Sequence, residues 1–300
     1  MSTAEDDGLE RDQLIALMVA EKDAALHQRG SVRVIAWSDV VDRDRPAVEL
    51  SAVDDSGEVV VEHTRIESYP DQVKDRAAMA KIFPHGGIEL PEHPQAGHYT
   101  LSVRPGALAA VPFAARTRVE PILAAWVREH IHDVPWPHQP GTPIFLGGSD
   151  PTIPLEWALW RVLPDSVGLV GPYARVIQIS YMRPPTLEAM RIERLARSLA
   201  DKVPKLLNAA AGERRSVLVL EERDTALSSP MDVSRALEVA AAGRDLPDVI
   251  YLLNTRMGDP LLCVIWEDGQ WAHQTDDPFR WRTFEPSRAS QLNMMPVTWL

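Results

Sequence analysis

The chain has 300 residues, 45% hydrophobic and 25% charged, an ordinary globular composition that provides for one large or two modest domains. A net charge of −12 argues against a generally basic, phosphate-binding surface, and a single cysteine, Cys263, excludes an internal disulfide and a cysteine-based zinc cage. No run of about 18 apolar residues occurs, and the start MSTAEDDGLERDQ is neither a secretory signal nor a basic transit peptide, so a cytoplasmic protein with no membrane partner is expected.

Residues 1–7 read as a disordered acidic start, and Leu9–His27 as a helix with Leu14, Leu17, Met18 and Ala25 at helical spacing. Ser31–Trp37 alternates like a strand, and Asp39–Arg45 is a charged loop. Val48–Val53 and Glu58–Thr64 form a hairpin about the turn Asp54–Gly57. If Val53 faces Glu58, then Glu49 lies opposite Glu62, with Thr64 on the same face. Two like charges so placed call for a shared proton or a bound cation, unless both splay into water. The stretch Val59–Asp75 stands out because a valine-rich strand runs directly into Glu62, His63, Glu67, Asp71, Gln72 and Asp75.

Residues 76–172 are rich in proline and glycine and read as an inserted subdomain, with a strand at Tyr99–Val103, a helix at Arg118–Ile131 and a loop at Pro135–Pro151. Regular structure resumes with a strand at Arg175–Ser180. A helix capped by Thr186 follows, with Leu187, Met190, Leu195, Leu199, Val203 and Leu206 as its apolar stripe and Pro204 expected to kink or end it near Lys202. Ser216–Glu221 and Val249–Leu253 are apolar enough to be strands buried on both faces, and Ser228–Ala242 is a helix closed by Gly243. Leu261–Trp266 and Gln270–Ala272 flank the turn Asp268-Gly269, which makes Trp266 and Trp271 a cross-strand pair. The domain plan is therefore a core of 1–75 and 173–275, an insertion at 76–172 and a tail at 276–300.

The order helix, strand, hairpin ending in Glu-x-Thr, helix, buried strand resembles the core of the PD-(D/E)XK, or restriction-endonuclease-like, superfamily. The run EHT-x-IE-x-Y-P-x-Q-x-x-D and the later VLVLEERDTAL are also similar to a group of uncharacterised bacterial proteins. The superfamily resemblance implies a mixed-sheet α/β (α+β) fold. It also implies a hydrolase that uses magnesium, held by carboxylates, and a lysine that supports the water attacking a phosphodiester. The matching positions here are Pro46-Ala47 and Glu62-His63-Thr64, so the family's aspartate is replaced by Ala47 and its lysine by Thr64. On that resemblance Glu49 and Glu62 are the expected Mg²⁺ ligands, and Lys202 or Lys205 supplies the amine.

Two functions follow as expectations. One is a divergent, metal-dependent nuclease-like protein whose partner is nucleic acid, with Glu62, Glu49 and Lys202 as site residues. The other is a non-catalytic module that kept the fold and binds another protein through the insertion. A hydrolase of another kind finds no nucleophile–base pair to support it. His63 reads as a hydrogen-bonded interior or edge histidine. His130, His132, Asp133 and His138 match no trusted zinc spacing and read as a solvated helix end. Gly147-Gly148 reads as a turn, Glu221-Glu222-Arg223-Asp224 as a solvated loop, and Cys263 as inert core.

Overall fold

The computed structural model describes residues 10–37, 48–67, 69, 71–90, 98–134, 145–162, 176–183, 185–222, 229–255, 260–275 and 281–284. The acidic start, the loop 39–45, Pro46-Ala47, His138, Arg223-Asp224 and the tail beyond 284 lie outside the described residues. The helices are α1 Arg11–Leu26, α2 Gln72–Ile82, α3 Ala107–Ala110, α4 Arg116–His130, α5 Leu187–Ala209 and α6 Pro230–Ala241. The strands are β1 Arg33–Trp37, β2 Leu50–Asp54, β3 Gly57–Arg65, β4 Gly87–Glu89, β5 His98–Val103, β6 Phe145–Asp150, β7 Leu155–Val162, β8 Val176–Tyr181, β9 Arg215–Glu222, β10 Val249–Asn254, β11 Leu261–Glu267, β12 Gln270–Trp271 and β13 Trp281–Thr283. The protein is thus a mixed α/β fold, and no described helix is long and apolar enough to cross a membrane.

The chain divides into two compact units, Met1–Ser68 with Thr186–Thr298, and Tyr69–Pro185. The first is built on a sheet of order β1-β2-β3-β9-β10-β11-β12, with β13 beside β11. Strands β1, β2 and β3 form an antiparallel meander, β3, β9 and β10 run parallel, and β11 turns back antiparallel. The parallel strands are buried on both faces, which is why VVVEH, SVLVLEE and VIYLLN carry almost no polar alternation. On one face α1 covers Val59, Val61, Val217, Val219 and Tyr251. On the other, α5 and α6 cover Val60, Leu218, Leu220, Ile250 and Leu252.

The hairpin register has Val53 opposite Glu58 and Leu50 opposite Val61, with a tighter turn than expected because Asp54 already pairs with Gly57. The chain reverses again at Asp268-Gly269, whose φ values of 50° and 81° suit a tight hairpin turn, and Trp266 sits opposite Trp271 with ring centroids 4.7 Å apart. Helix α6 starts at a true cap, Ser229 Oγ accepting from the Asp232 N–H at 3.2 Å, with Pro230 in the first turn.

Several expectations are corrected. Pro204 does not end α5, which runs on to Ala209. The stripe Leu195, Leu199, Val203 and Leu206 packs on the sheet across the proline, and its burial offsets the roughly 3 kcal/mol that an interior proline costs. Thr186 precedes the helix without a capping bond, its hydroxyl pointing to Met190 Sδ at 3.4 Å. Ala24, not Ala25, joins the buried face of α1.

The second unit is a five-stranded sheet of order β4-β8-β5-β7-β6. Its core joins Leu101, Val103, Trp157, Leu159 and Ile177 to Ala78, Leu108, Leu123 and Val127 of α2, α3 and α4. Within the expected loop 135–151, residues Phe145–Asp150 form β6, so Gly147-Gly148 is strand and not turn. A Cβ on Gly148 would stand 2.3 Å from Trp157 Nε1 and 2.7 Å from the Trp126 ring, so glycine serves here for close approach of aromatic side chains.

Candidate functional site

Glu62 sits mid-strand in β3, opposite Leu218 of β9, with its side chain turned towards α5 and fully buried. A carboxylate there is costly unless it is paired. Lys202 Nζ lies 2.6 Å and Lys205 Nζ 3.1 Å from the same oxygen, Oε1, each lysine retaining 29% exposure. Both reach the strand because they are three residues apart on α5, whose apolar stripe anchors the helix over β3 and β9. The second oxygen, Oε2, is buried and has no hydrogen-bond partner among the described residues.

Extending the hairpin register one step past the Leu50–Val61 pair places Glu49 beside Glu62. Glu49 is half-buried, and burial, followed by the negative charge of Glu62, pushes its carboxyl up; His63, Lys202 and Lys205 pull it the other way. The residues singled out from the sequence, Glu49, Glu62 and Lys202, therefore stand together, with Lys205 as a fourth. Thr64 follows on the same face, half-buried. Two carboxylates, one with a bare buried oxygen, form a donor set of the hard-oxygen type that suits Mg²⁺ or Mn²⁺, with the remaining positions left to water and substrate oxygens.

A second ionic cluster lies on the other face of β3 and was missed from the sequence. His63 is buried with Nε2 3.3 Å from Glu221 and Nδ1 3.5 Å from Asp12. Glu221, at the end of β9, also receives Arg11 at 2.6 Å, Arg65 at 3.2 Å and the Thr255 hydroxyl at 2.6 Å. Burial opposes its ionisation, yet His63, Arg11 and Thr255 together hold the carboxyl well below its ordinary range. Glu221 and Glu222 are thus core residues and not a solvated loop, and Glu222 accepts from Asn254 Nδ2 at 2.9 Å. The signal available was their position at the end of an uninterrupted apolar strand.

A third group stands at the opposite end of the sheet. Asp23, His27 and Glu267 bring their ligand atoms within 4.8 Å of one another, as a metal site would. Arg215 already occupies the space between them, with Nη2 3.1 Å from Asp23 and 3.0 Å from Glu267 and Nε 3.1 Å from Asp23. Arg29 at 3.1 Å and the Tyr251 hydroxyl at 2.7 Å complete the shell of Asp23. This is an arginine-centred network in which the guanidinium bridges the two acids.

In the second unit, Asp75 accepts from the Tyr69 hydroxyl at 2.9 Å and from the Gly106 and Ala109 N–H groups at 2.9 and 2.7 Å. The last acid of the stretch Val59–Asp75 is therefore a structural cap of α3. His130 Nδ1 lies 2.8 Å from the Trp126 carbonyl oxygen, and its ring stacks on that of Trp126. Burial pushes the Cys263 thiol up to about 12, which keeps it inert. No protein-family model, curated protein or solved structure matches the chain.

Proposed function

We propose that the chain is a divergent metal-dependent nuclease-like protein that acts on phosphodiesters at the Glu49–Glu62–Lys202–Lys205 cluster. The observation that carries this reading is Glu62, buried in a central strand with both lysines on one oxygen and the other without a partner among the described residues. The helix-then-meander order α1-β1-β2-β3, with α5 leading into β9, supports it as well, because that is the element order the resemblance implies. Glu62 Oε2 and Glu49 are the groups that would hold Mg²⁺. The ion, when bound, would polarise a phosphoryl oxygen and lower the pKa of a bound water. Lys202 and Lys205 stand where an ammonium can orient that water or neutralise charge building on the phosphate, replacing the amine that Thr64 lacks.

The test is cleavage of single- and double-stranded DNA and of RNA in Mg²⁺ or Mn²⁺ by the wild type, Glu62→Gln and Lys202→Met. Metal-dependent cleavage reduced at least about a hundredfold in Glu62→Gln is expected, the size associated with losing an electrostatic group at a reacting centre. Equal cleavage by wild type and Glu62→Gln, or none by either, refutes the reading. One observation favours a non-catalytic protein-interaction module instead: Lys202, at 2.6 Å, already satisfies Glu62 as a direct ion pair. Absence of cleavage together with recovery of a protein partner would select it.

A further inference from the structure

We infer that Lys202 and Lys205 are a built-in counter-cation, which competes with a divalent metal ion for Glu62 and so sets the affinity of the site. The inference rests on the metal-binding part of the reading above. A carboxylate has about four lone-pair directions, and among the described residues two ammonium groups crowd one oxygen while the other has none. The crowding makes charge sense. Glu62 is fully buried and needs a positive partner whenever no metal is present.

The two lysines suit a removable partner. Each keeps 29% exposure and sits on a flexible four-carbon stem, so either amine can turn from Glu62 to water at small cost. Among the described residues they leave Oε2 without a partner, so lone pairs of the same carboxylate stay available to a cation. Two ammonium groups within 3.1 Å of Oε1 would then repel a divalent ion on the neighbouring oxygen of the same carboxylate. Metal binding therefore displaces at least one amine from Glu62. Lysine is freed for the water or the phosphate only once the metal has arrived. The contact is thus a resting-state lock as well as a source of stability. In an arginine-held cluster such as Asp23–Arg215–Glu267 the guanidinium bonds both acids and has no comparable way out.

The experiment is Mn²⁺ titration of the full chain by calorimetry at fixed pH and ionic strength, comparing wild type, Lys202→Met, Lys205→Met, the double variant and Glu62→Gln. Removing a positive charge beside the site is expected to tighten Mn²⁺ binding about tenfold in the double variant, with smaller gains in each single variant. Glu62→Gln should lose the binding. The single variants keep one ammonium on Oε1 and carry the test if the double variant does not fold. Unchanged or weaker binding in the lysine variants, with measurable binding by wild type, overturns the inference and leaves the nuclease-like reading standing. No binding by any variant overturns both. Tighter binding in the lysine variants without cleavage by wild type upholds the inference and ends the nuclease-like reading.

Discussion

Neutralising the two ends of the Lys202–Glu62–Lys205 contact is predicted to have unequal effects on stability. Glu62 has no exposed side-chain surface, whereas each lysine keeps 29%. Replacing both lysines by methionine strands a buried carboxylate, a change that costs about 3–5 kcal/mol when a buried pair loses one partner. Replacing Glu62 by glutamine removes the buried charge itself, keeps an acceptor for an amine, and lets the lysines rehydrate, at about 1–2 kcal/mol. Lys202→Met/Lys205→Met should therefore be less stable than Glu62→Gln by about 1–4 kcal/mol, the span between those two ranges. Urea unfolding in chelator, followed by tryptophan fluorescence, measures it. Saturating Mn²⁺ should restore the double-lysine variant by about 2.7 kcal/mol at a hundred times its Kd and do nothing for Glu62→Gln. A Glu62→Gln variant as destabilised as the double-lysine variant would show that burial of the Glu62 charge does not govern this contact.

Two further outcomes test the rest of the structure. Gly148→Ala should lower the stability of the second unit by about 1–3 kcal/mol, because the new methyl would meet Trp157 Nε1 and the Trp126 ring at well under contact distance; an unchanged thermal midpoint would mean the tryptophans yield freely. The folded Glu221 carboxyl titrates below its ordinary value of 4.5, so the stability it supplies is present above that value and is lost as pH falls beneath it. Glu221→Gln should be less stable at pH 7, because its ion pair with Arg11 is lost, and should show a shallower loss below about pH 4.5 than wild type. Parallel acid limbs in urea titrations of the two proteins would count against the assignment.

Much of the candidate site was legible because it depends on local rules. The turn at Asp54–Gly57 sets a hairpin register, and period two then brings Glu49 and Glu62 to one face. The lysines were legible as residues of a helix with a clear stripe, and their reach to Glu62 follows once that stripe is packed on β3 and β9. Pro204 does not end the helix because its local preference is outweighed by packing along the whole helix. Gly147-Gly148 misled because glycine marks both a turn and a close approach, and only the neighbouring Trp126 and Trp157 distinguish the two. Arg65 and Arg11 lie 156 and 210 residues from Glu221, a pairing no local pattern encodes.

The amino-acid sequence by itself determined the hairpin and its register, the buried character of the strands around Ser216–Leu220 and Val249–Leu253, and the presence of acids and lysines at spacings fit for one face. These properties depend on backbone preference and periodicity, which act between near neighbours. Only the tertiary structure decided that β9 lies parallel to β3, that both amines converge on one oxygen of Glu62, and that Arg215 fills the Asp23–Glu267 cluster. The physical reason is that burial and charge pairing depend on which distant segments share a core, and that is settled by the packing of the whole sheet.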